Sequence, residues 1–137
     1  MGKSLVIAVD FDGTVVEHKY PAIGKEMPFA FATLKQLQKR GHRLIMWTYR
    51  HGKTLDEAVE YCRKNGIEFY AINNSFPEEQ FNPNEASRKL DCDMFIDDRN
   101  VGGFLGWGEI FRIIHPEGGE TQRPQQKKGL LGKLFGG

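Results

Sequence analysis

Residues 5–14 read LVIAVDFDGT, and this stretch decides the fold. The apolar run at 5–9 is short, continuous and rich in β-branched side chains, which is typical of a strand buried on both faces of a parallel sheet. Two carboxylates, Asp10 and Asp12, follow the run at once. Like charges repel at that distance and are costly at the edge of a core. The pair therefore predicts either a solvated turn or a cation site.

The composition is that of a folded protein with one ordinary domain. The chain has 137 residues, 39% hydrophobic and 27% charged, with a formal net charge of +1. This balance gives no global electrostatic reason to bind nucleic acid or an acidic membrane. No apolar run approaches the roughly 18 residues of a membrane span, and the run at 5–9 is too short for a signal peptide. The two cysteines lack CxxC spacing, so we expect reduced thiols and a cytoplasmic location.

Strand patterns alternate with helix patterns after the first apolar run. Further strands are predicted at 43–47, 67–72, 93–96 and 109–114. The intervening segments are long enough for crossover connections. This alternation predicts an α/β protein with a parallel sheet.

Two helices have clear sequence signals. The first is predicted over 28–40, with Pro28 at its start and a core face made by Phe31, Leu34 and Leu37.

The second helix is predicted to begin with a capping box formed by Thr54 and Glu57 and to stop at Gly66. A third, short helix is expected from Asn82 to about Leu90. Residues 14–27 have no helical period, which indicates a loop or a short hairpin.

Polar residues end three of the predicted strands. Asp10 and Asp12 follow the first strand, Thr48 follows the second, and Asp97 with Asp98 ends the strand at 93–96. Ligands of parallel sheets bind at the carboxyl ends of the strands, so we expect these groups to share one site. Carboxylates suit Mg²⁺, and a bound cation would relieve their repulsion. Together with a hydroxyl and a lysine, they could carry out phosphoryl transfer.

Three other motifs explain DFDGT less well. An EF-hand calcium loop needs a third ligand before its glycine and follows a helix, whereas Gly13 comes too early and follows a strand. A two-component receiver domain places its acid pair first and its single phosphoacceptor later, which is the reverse of the order here. The sequence contains neither a GxGxxG nor a GxxxxGK[ST] phosphate loop.

Residues 4–114 resemble the haloacid dehalogenase (HAD) superfamily of phosphotransferases. LVIAVDFDGT is similar to its first motif, LIMWT to its second with Thr48, and MFIDD to its fourth with Asp97 and Asp98. RLIMWTYR and SRKLDCDMFIDDRNVGG also resemble a group of small bacterial HAD-like proteins. The resemblance implies a three-layer, Rossmann-like (HAD-type) parallel sheet flanked by helices.

The resemblance also implies a catalytic role for each matched acid. Asp10 would be the nucleophile that forms an aspartyl-phosphate, and Asp12 the general acid and then the general base. Asp10, the backbone carbonyl of Asp12 and Asp97 would hold Mg²⁺, with Asp98 as a further ligand or the neighbour of one. Whether Asp97 or Asp98 contacts the metal directly stays open.

Thr48 and a lysine would hold the phosphate oxygens. Lys89, just before the strand at 93–96, stands at the usual place of the third-motif lysine and is preferred to Lys53. Arg50 and Arg99 are candidates for contacts with a second anionic group of the substrate. TxR and DDR are also similar to the phosphatase half of polynucleotide kinases, so nucleic acid stays a secondary substrate candidate.

The complete motif set predicts a magnesium-dependent phosphatase that hydrolyses a phosphate ester through an aspartyl-phosphate. The alternative is a non-catalytic HAD-scaffold protein that binds a phosphorylated ligand or partner. The gaps at 14–27 and 73–86 admit only a flap and a loop, so no substantial cap domain is expected. Capless relatives act on large substrates or borrow a neighbouring subunit as a lid, which makes a homo-oligomer one expectation.

The last part of the sequence differs in composition from the rest. We predict a catalytic domain over 1–115 and a flexible tail over 116–137, rich in Gly, Gln and Lys, which ends in KKGLLGKLFGG.

Overall fold

The computed structural model describes residues 3–75, 77 and 90–117. The chain divides into two compact units, Met1–Leu105 and Gly106–Gly137. The first unit contains, in chain order, β1 (Val6–Val9), α1 (Ala30–Lys39), β2 (Arg43–Met46), α2 (Gly52–Lys64), β3 (Ala71–Ile72) and β4 (Met94–Ile96). The second unit contains α3 (Trp107–Ile114). The tail at 118–137 lies outside the described residues, so the predicted division at 115/116 stays a prediction.

The four strands form one parallel sheet in the order β3-β2-β1-β4. β1 is central, with Ile7 paired to Leu44 of β2 on one side and to Met94 of β4 on the other. Beyond the strand, the Asp10 N–H donates to the Ile96 carbonyl at 2.9 Å. The predicted α/β class and parallel pairing are confirmed, and this register places the carboxyl ends of β1, β2 and β4 side by side.

Both faces of β1 and β2 are buried, as the continuous apolar runs predict. Ala8 and Ile45 belong to a cluster on one face of the sheet that also contains Ala71 and Leu90. The alternate residues point to the other face and are at most 1% exposed: Ile7, Val9, Leu44 and Met46. Because neither face meets solvent, the polar groups that follow these strands can only emerge at the edge of the sheet.

Helix α1 has the predicted core face but starts later than predicted. Phe31, Leu34 and Leu37 are buried. The helix begins at Ala30 rather than at Pro28 because Phe29 adopts a left-handed conformation, with φ 66°. The Glu26 carboxylate accepts the Phe31 N–H at 3.0 Å and so satisfies one of the free donors of the first turn.

Helix α2 ends as predicted but begins differently. The capping box predicted for Thr54 and Glu57 is wrong, because the helix already starts at Gly52 with His51 as its N-cap residue. The Thr54 hydroxyl instead donates to the His51 carbonyl at 2.9 Å. Gly66, with φ 91°, follows the last turn, in the left-handed conformation typical of a helix stop.

The strand predicted at 109–114 is wrong, since these residues belong to α3. A short apolar run fits a strand or a helix equally well by periodicity alone. Trp107 and Ile110, three residues apart, are both buried. Glu109 and Arg112, with the same spacing, form an ion pair at 3.2 Å. The three-residue spacing of both pairs is typical of a helix, and it becomes visible when Trp107 is included in the segment.

The segment at 14–27 is a short hairpin-like flap, as expected. Val16 and Glu26 form an antiparallel bridge, and the Glu17 N–H donates to the Lys25 carbonyl at 2.8 Å. The predicted strand at 67–72 is shortened to Ala71–Ile72. The predicted helix at 82–90, apart from Leu90, and most of the gap at 73–86 lie outside the described residues. Within the described part of the chain, no helix has the length and apolar character that a membrane crossing requires.

The core face of α1 yields a stability prediction. Leu34 is fully buried, so Leu34→Ala should lower the free energy of unfolding by about 2–5 kcal/mol. Phe29→Ala is the matched control, because Phe29 is 71% exposed and should lose less than about 1 kcal/mol. Urea denaturation measures both losses, and equal losses would contradict the described packing of α1.

Candidate functional site

An open cleft of about 490 Å³ lies at the carboxyl edge of the sheet. Its lining comes from the residues that follow β1, β2 and β4, with the flap contributing two more. The lining residues are Asp10, Asp12, His18, Tyr20, Trp47, Thr48, Tyr49, Arg50, His51, Asp97, Asp98 and Arg99. The strand order reverses direction at β1, which is the position where α/β sheets commonly bind ligands.

Asp10 and Asp98 form the acidic centre of the cleft. The Asp98 carboxyl group lies within interaction distance of Asp10, and Asp10 Oδ2 accepts the Thr14 hydroxyl at 3.3 Å. Burial, followed by the Asp98 hydrogen bond and charge, raises the pKa of Asp10 to about 7. The raised pKa keeps part of the Asp10 population protonated near neutral pH, which lowers the repulsion between the two acids.

Gly13 makes room for this pair. Its φ of 87° is a conformation that side chains rarely adopt, and a Cβ at this position would collide with the Asp98 carboxylate. The glycine of the DFDGT stretch therefore allows the chain after β1 to turn and lets the acid from β4 approach.

Thr48 is fixed at the end of β2 by its backbone. Its N–H donates to Asn73 Oδ1 at 2.8 Å, and its hydroxyl oxygen accepts the Arg50 N–H at 3.1 Å. Asn73 follows β3 in a left-handed conformation, with φ 54°. Thr48 lines the cleft with its hydroxyl oriented by these contacts, so it can donate a hydrogen bond to a bound ligand.

Arg50 is not placed as the expected substrate contact. Its guanidinium donates two hydrogen bonds to the Asp12 carboxylate, both at 2.8 Å. The remaining donors reach the carbonyls of Pro21, Ala22 and Thr54 at 2.9–3.2 Å. Arg50 is 2% exposed, and these bonds use all the N–H groups that a guanidinium carries.

Asp97 and Arg99 also lie at the cleft but make different contacts. Asp97 Oδ1 accepts the Arg99 N–H at 3.0 Å, in a local turn after β4. The Arg99 guanidinium is exposed and lies 5.9 Å from the Tyr49 ring centre. Of the two adjacent acids, Asp98 is therefore the one in contact with Asp10, and Arg99 keeps its guanidinium at the cleft.

Of the two candidate phosphate lysines, only Lys53 lies among the described residues. Lys89 lies outside the described residues, so its position stays a prediction. Lys53 is on the exposed side of α2, where its amine is 3.9 Å from Glu57 and the side chain is 88% exposed. Lys53 is not among the residues that line the cleft.

The sequence analysis missed three features of the site. Tyr20 and Tyr49 border the cleft, and Trp47, which follows β2, lines it rather than only packing in the sheet. Asn73 orients Thr48 from the end of β3. Trp47, Tyr49 and Asn73 share one signal, which is position: Trp47 and Tyr49 flank Thr48, and Asn73 directly follows a strand of the same sheet.

The donor chemistry of the acidic centre fits Mg²⁺. The described residues include no group of three or more His, Cys, Asp or Glu side chains arranged around a metal position. Magnesium does not need such a cage, because it keeps several waters and binds through one or two carboxylates plus substrate oxygens. Asp10 and Asp98 supply two such carboxylates, and a bound cation would compensate their negative charge.

Together these features define an α/β protein with a parallel sheet and an acidic cleft at its carboxyl edge. The chain is similar to a solved structure of a conserved protein coded by a locus of Bacteroides thetaiotaomicron, with 53% identity and a TM-score of 0.78. The match covers 90% of this chain and 100% of the other. The chain belongs to the family of that conserved protein. No protein-family model and no curated protein matches the chain.

The role of Gly13 can be tested with a second glycine as the control. Gly13→Ala and Gly102→Ala both place a side chain at a φ near 90°, but a Cβ at Gly102 meets nothing within 4 Å. Backbone strain should lower the free energy of unfolding of each variant by about 1–2 kcal/mol. The collision with Asp98 should lower that of Gly13→Ala by at least about 1 kcal/mol more. Equal losses in urea denaturation would show that the contact is not tight.

The raised pKa of Asp10 makes the folding stability of the protein depend on pH. A carboxyl whose folded pKa is raised binds a proton more tightly in the folded protein, so stability falls as pH rises from about 4 through 7. Asp10→Asn removes that loss. In EDTA its Tm should equal that of wild type near pH 4 and exceed it by about 3–6 °C at pH 8, a range discounted for partial exposure. A constant Tm difference from pH 4 to 8 would contradict the raised pKa of Asp10.

Proposed function

We propose that this protein is a magnesium-dependent phosphatase of the HAD type that hydrolyses a phosphate monoester through an aspartyl-phosphate at Asp10. The observation that carries the proposal is the contact between Asp10 at the end of β1 and Asp98 at the end of β4. Asp12 and Thr48 line the same cleft. Four residues matched by the HAD motifs thus meet at one edge of the sheet.

Asp10 is the nucleophile in this proposal. One of its oxygens attacks phosphorus as the bond from phosphorus to the leaving oxygen breaks, which forms an acyl phosphate on Asp10. The Thr14 hydroxyl on Oδ2 favours the ionised form of Asp10 and restricts rotation of the carboxylate. The attack needs the ionised form, and a pKa of about 7 implies that the proton on Asp10 must leave before the attack.

Mg²⁺ is the cofactor that the acidic centre suits. The residues that would hold it are Asp10, Asp98 and the backbone carbonyl of Asp12, while Asp97 is proposed to orient the turn after β4 through its bond to Arg99. When bound, the ion supplies charge neutralisation for the phosphoryl oxygens and for the two carboxylates.

Asp12 is proposed to move the protons. In its protonated form it donates a proton to the leaving oxygen as that oxygen departs, and it then regains one from the water that attacks the acyl phosphate, so the proton balance closes over the two steps. Its side chain is 13% exposed, so it is largely shielded from bulk water yet reaches the cleft. Both carboxylate oxygens accept one bond from Arg50, and each keeps a second lone pair for this transfer.

Thr48 and Lys89 are proposed to bind the phosphoryl oxygens. Asn73 accepts the Thr48 backbone N–H, and the Thr48 hydroxyl oxygen accepts the Arg50 N–H, which leaves the hydroxyl hydrogen to donate. Lys89 precedes β4 in the chain, and its role rests on the motif match. Arg99, exposed at the cleft, is proposed to contact a second anionic group of the substrate.

The proposal predicts phosphate release that depends on both Mg²⁺ and Asp10. Wild type, Asp10→Asn and the control Asp56→Asn are assayed on a panel of phosphometabolites and 3′- and 5′-phosphorylated oligonucleotides, in MgCl₂ or EDTA. Asp56 is exposed on α2, away from the cleft. Asp10→Asn should lose at least about 1,000-fold in kcat/KM, as expected for a missing nucleophile, while Asp56→Asn should retain wild-type activity.

The same panel separates the alternative function. Calorimetric binding of a phosphorylated compound without turnover by wild type would favour the non-catalytic binding protein. Equal phosphate release by wild type and Asp10→Asn would rule out Asp10 as the nucleophile.

A further inference from the structure

The guanidinium of Arg50 connects three parts of the first unit. It binds Asp12 after β1 through two bonds of 2.8 Å. It binds the flap through the carbonyls of Pro21 and Ala22, and it binds the start of α2 through the Thr54 carbonyl.

The geometry around Arg50 is rigid. The rings of Phe11 and Tyr20 each lie 5.1 Å from its guanidinium carbon, one from the core and one from the flap. The Asp12 carboxylate holds the pKa of the guanidinium above its ordinary value. The Arg50 guanidinium is planar and charged, packs against two rings and is hydrogen-bonded at every donor, so it has one orientation. Its two bonds to Asp12 fix the plane of that carboxylate.

We infer that Arg50 is a positioning residue that orients Asp12 for proton transfer and ties that orientation to the seating of the flap. The inference rests on the proposed phosphatase function and assigns Arg50 a role other than substrate binding. Because all the guanidinium N–H groups of Arg50 donate to groups of the protein, none is available to donate to a substrate phosphate. Since two of those donors hold Pro21 and Ala22, a displaced flap also disturbs Arg50 and, through it, Asp12.

The inference predicts a dependence on the leaving group. A poor leaving group such as an alkoxide needs the proton from Asp12, whereas 2,4-dinitrophenolate departs with little help. Arg50→Lys keeps the charge but loses the planar fork. Its kcat should fall about 100-fold on an alkyl phosphate, within the range that general acid catalysis supplies, and less than about 5-fold on 2,4-dinitrophenyl phosphate.

A double-mutant cycle identifies Asp12 as the residue through which Arg50 acts. In an Asp12→Asn background, Arg50→Lys should change kcat on the alkyl phosphate less than about 3-fold, because no acid remains to be oriented. Arg63→Lys is the matched control, since Arg63 makes an exposed two-oxygen contact to Glu60 and lies outside the cleft. This control should behave as wild type with both substrates.

Each other outcome overturns the inference. An equal loss on both substrates, with a lowered Tm, would mean that Arg50 only stabilises the fold. A raised KM with unchanged kcat would mean that it binds substrate. A wild type without phosphatase activity would overturn the proposed function and the inference together, whereas active wild type with a uniform Arg50→Lys loss would overturn the inference alone.

A second variant covers the case in which Arg50→Lys does not fold. Tyr20→Leu removes the flap ring from the guanidinium without leaving a buried charge unpaired, and Tyr20 is 49% exposed. The same leaving-group pattern is expected at reduced size, about 3–10-fold on the alkyl phosphate. A uniform effect on both substrates would overturn the coupling between the flap and Asp12.

Discussion

The parallel pairing of β1 with a strand on each side is the constraint on which the rest of the structure depends. Ile7 pairs with Leu44 and Met94, so the chain leaves β1, β2 and β4 at the same edge. Both faces of β1 and β2 are covered, so the polar groups that follow these two strands appear beyond their ends. Asp10, Thr48 and Asp98 become neighbours for this reason, although they are separated by dozens of residues in sequence.

This convergence creates an electrostatic problem that the protein solves in two ways. Asp12 is neutralised within the chain by Arg50, with both carboxylate oxygens bonded. Asp10 has no such cation among its described contacts and is paired with another acid, Asp98. The proposed metal ion would therefore act at the second pair. The difference separates a carboxylate held by the protein from one that is available for a cation and a substrate.

The sequence predicted the parallel sheet and the gathering of acids because both follow from a simple pattern, apolar runs that end in polar residues. It failed where different contacts compete for the same residues. Thr54 and Glu57 fit a capping box, yet the helix starts earlier at Gly52. The apolar run at 109–114 was predicted as a strand, but the helix begins at Trp107, and the helical spacing becomes visible only when Trp107 is included. Arg50 looked like a ligand for phosphate because sequence spacing does not reveal carbonyls from the flap.

The five residues DFDGT act as one physical unit in which each neighbour has a separate task. Asp10 meets Asp98, and Thr14 holds Asp10 from the other side of the turn. Phe11 is fully buried beneath the guanidinium of Arg50, so the residue between the two acids supports the cation that binds the second of them. Gly13 leaves space for the acid from β4. The one-residue spacing of the carboxylates thus gives them opposite surroundings, and that difference is what the proposed roles of Asp10 as nucleophile and Asp12 as proton carrier require.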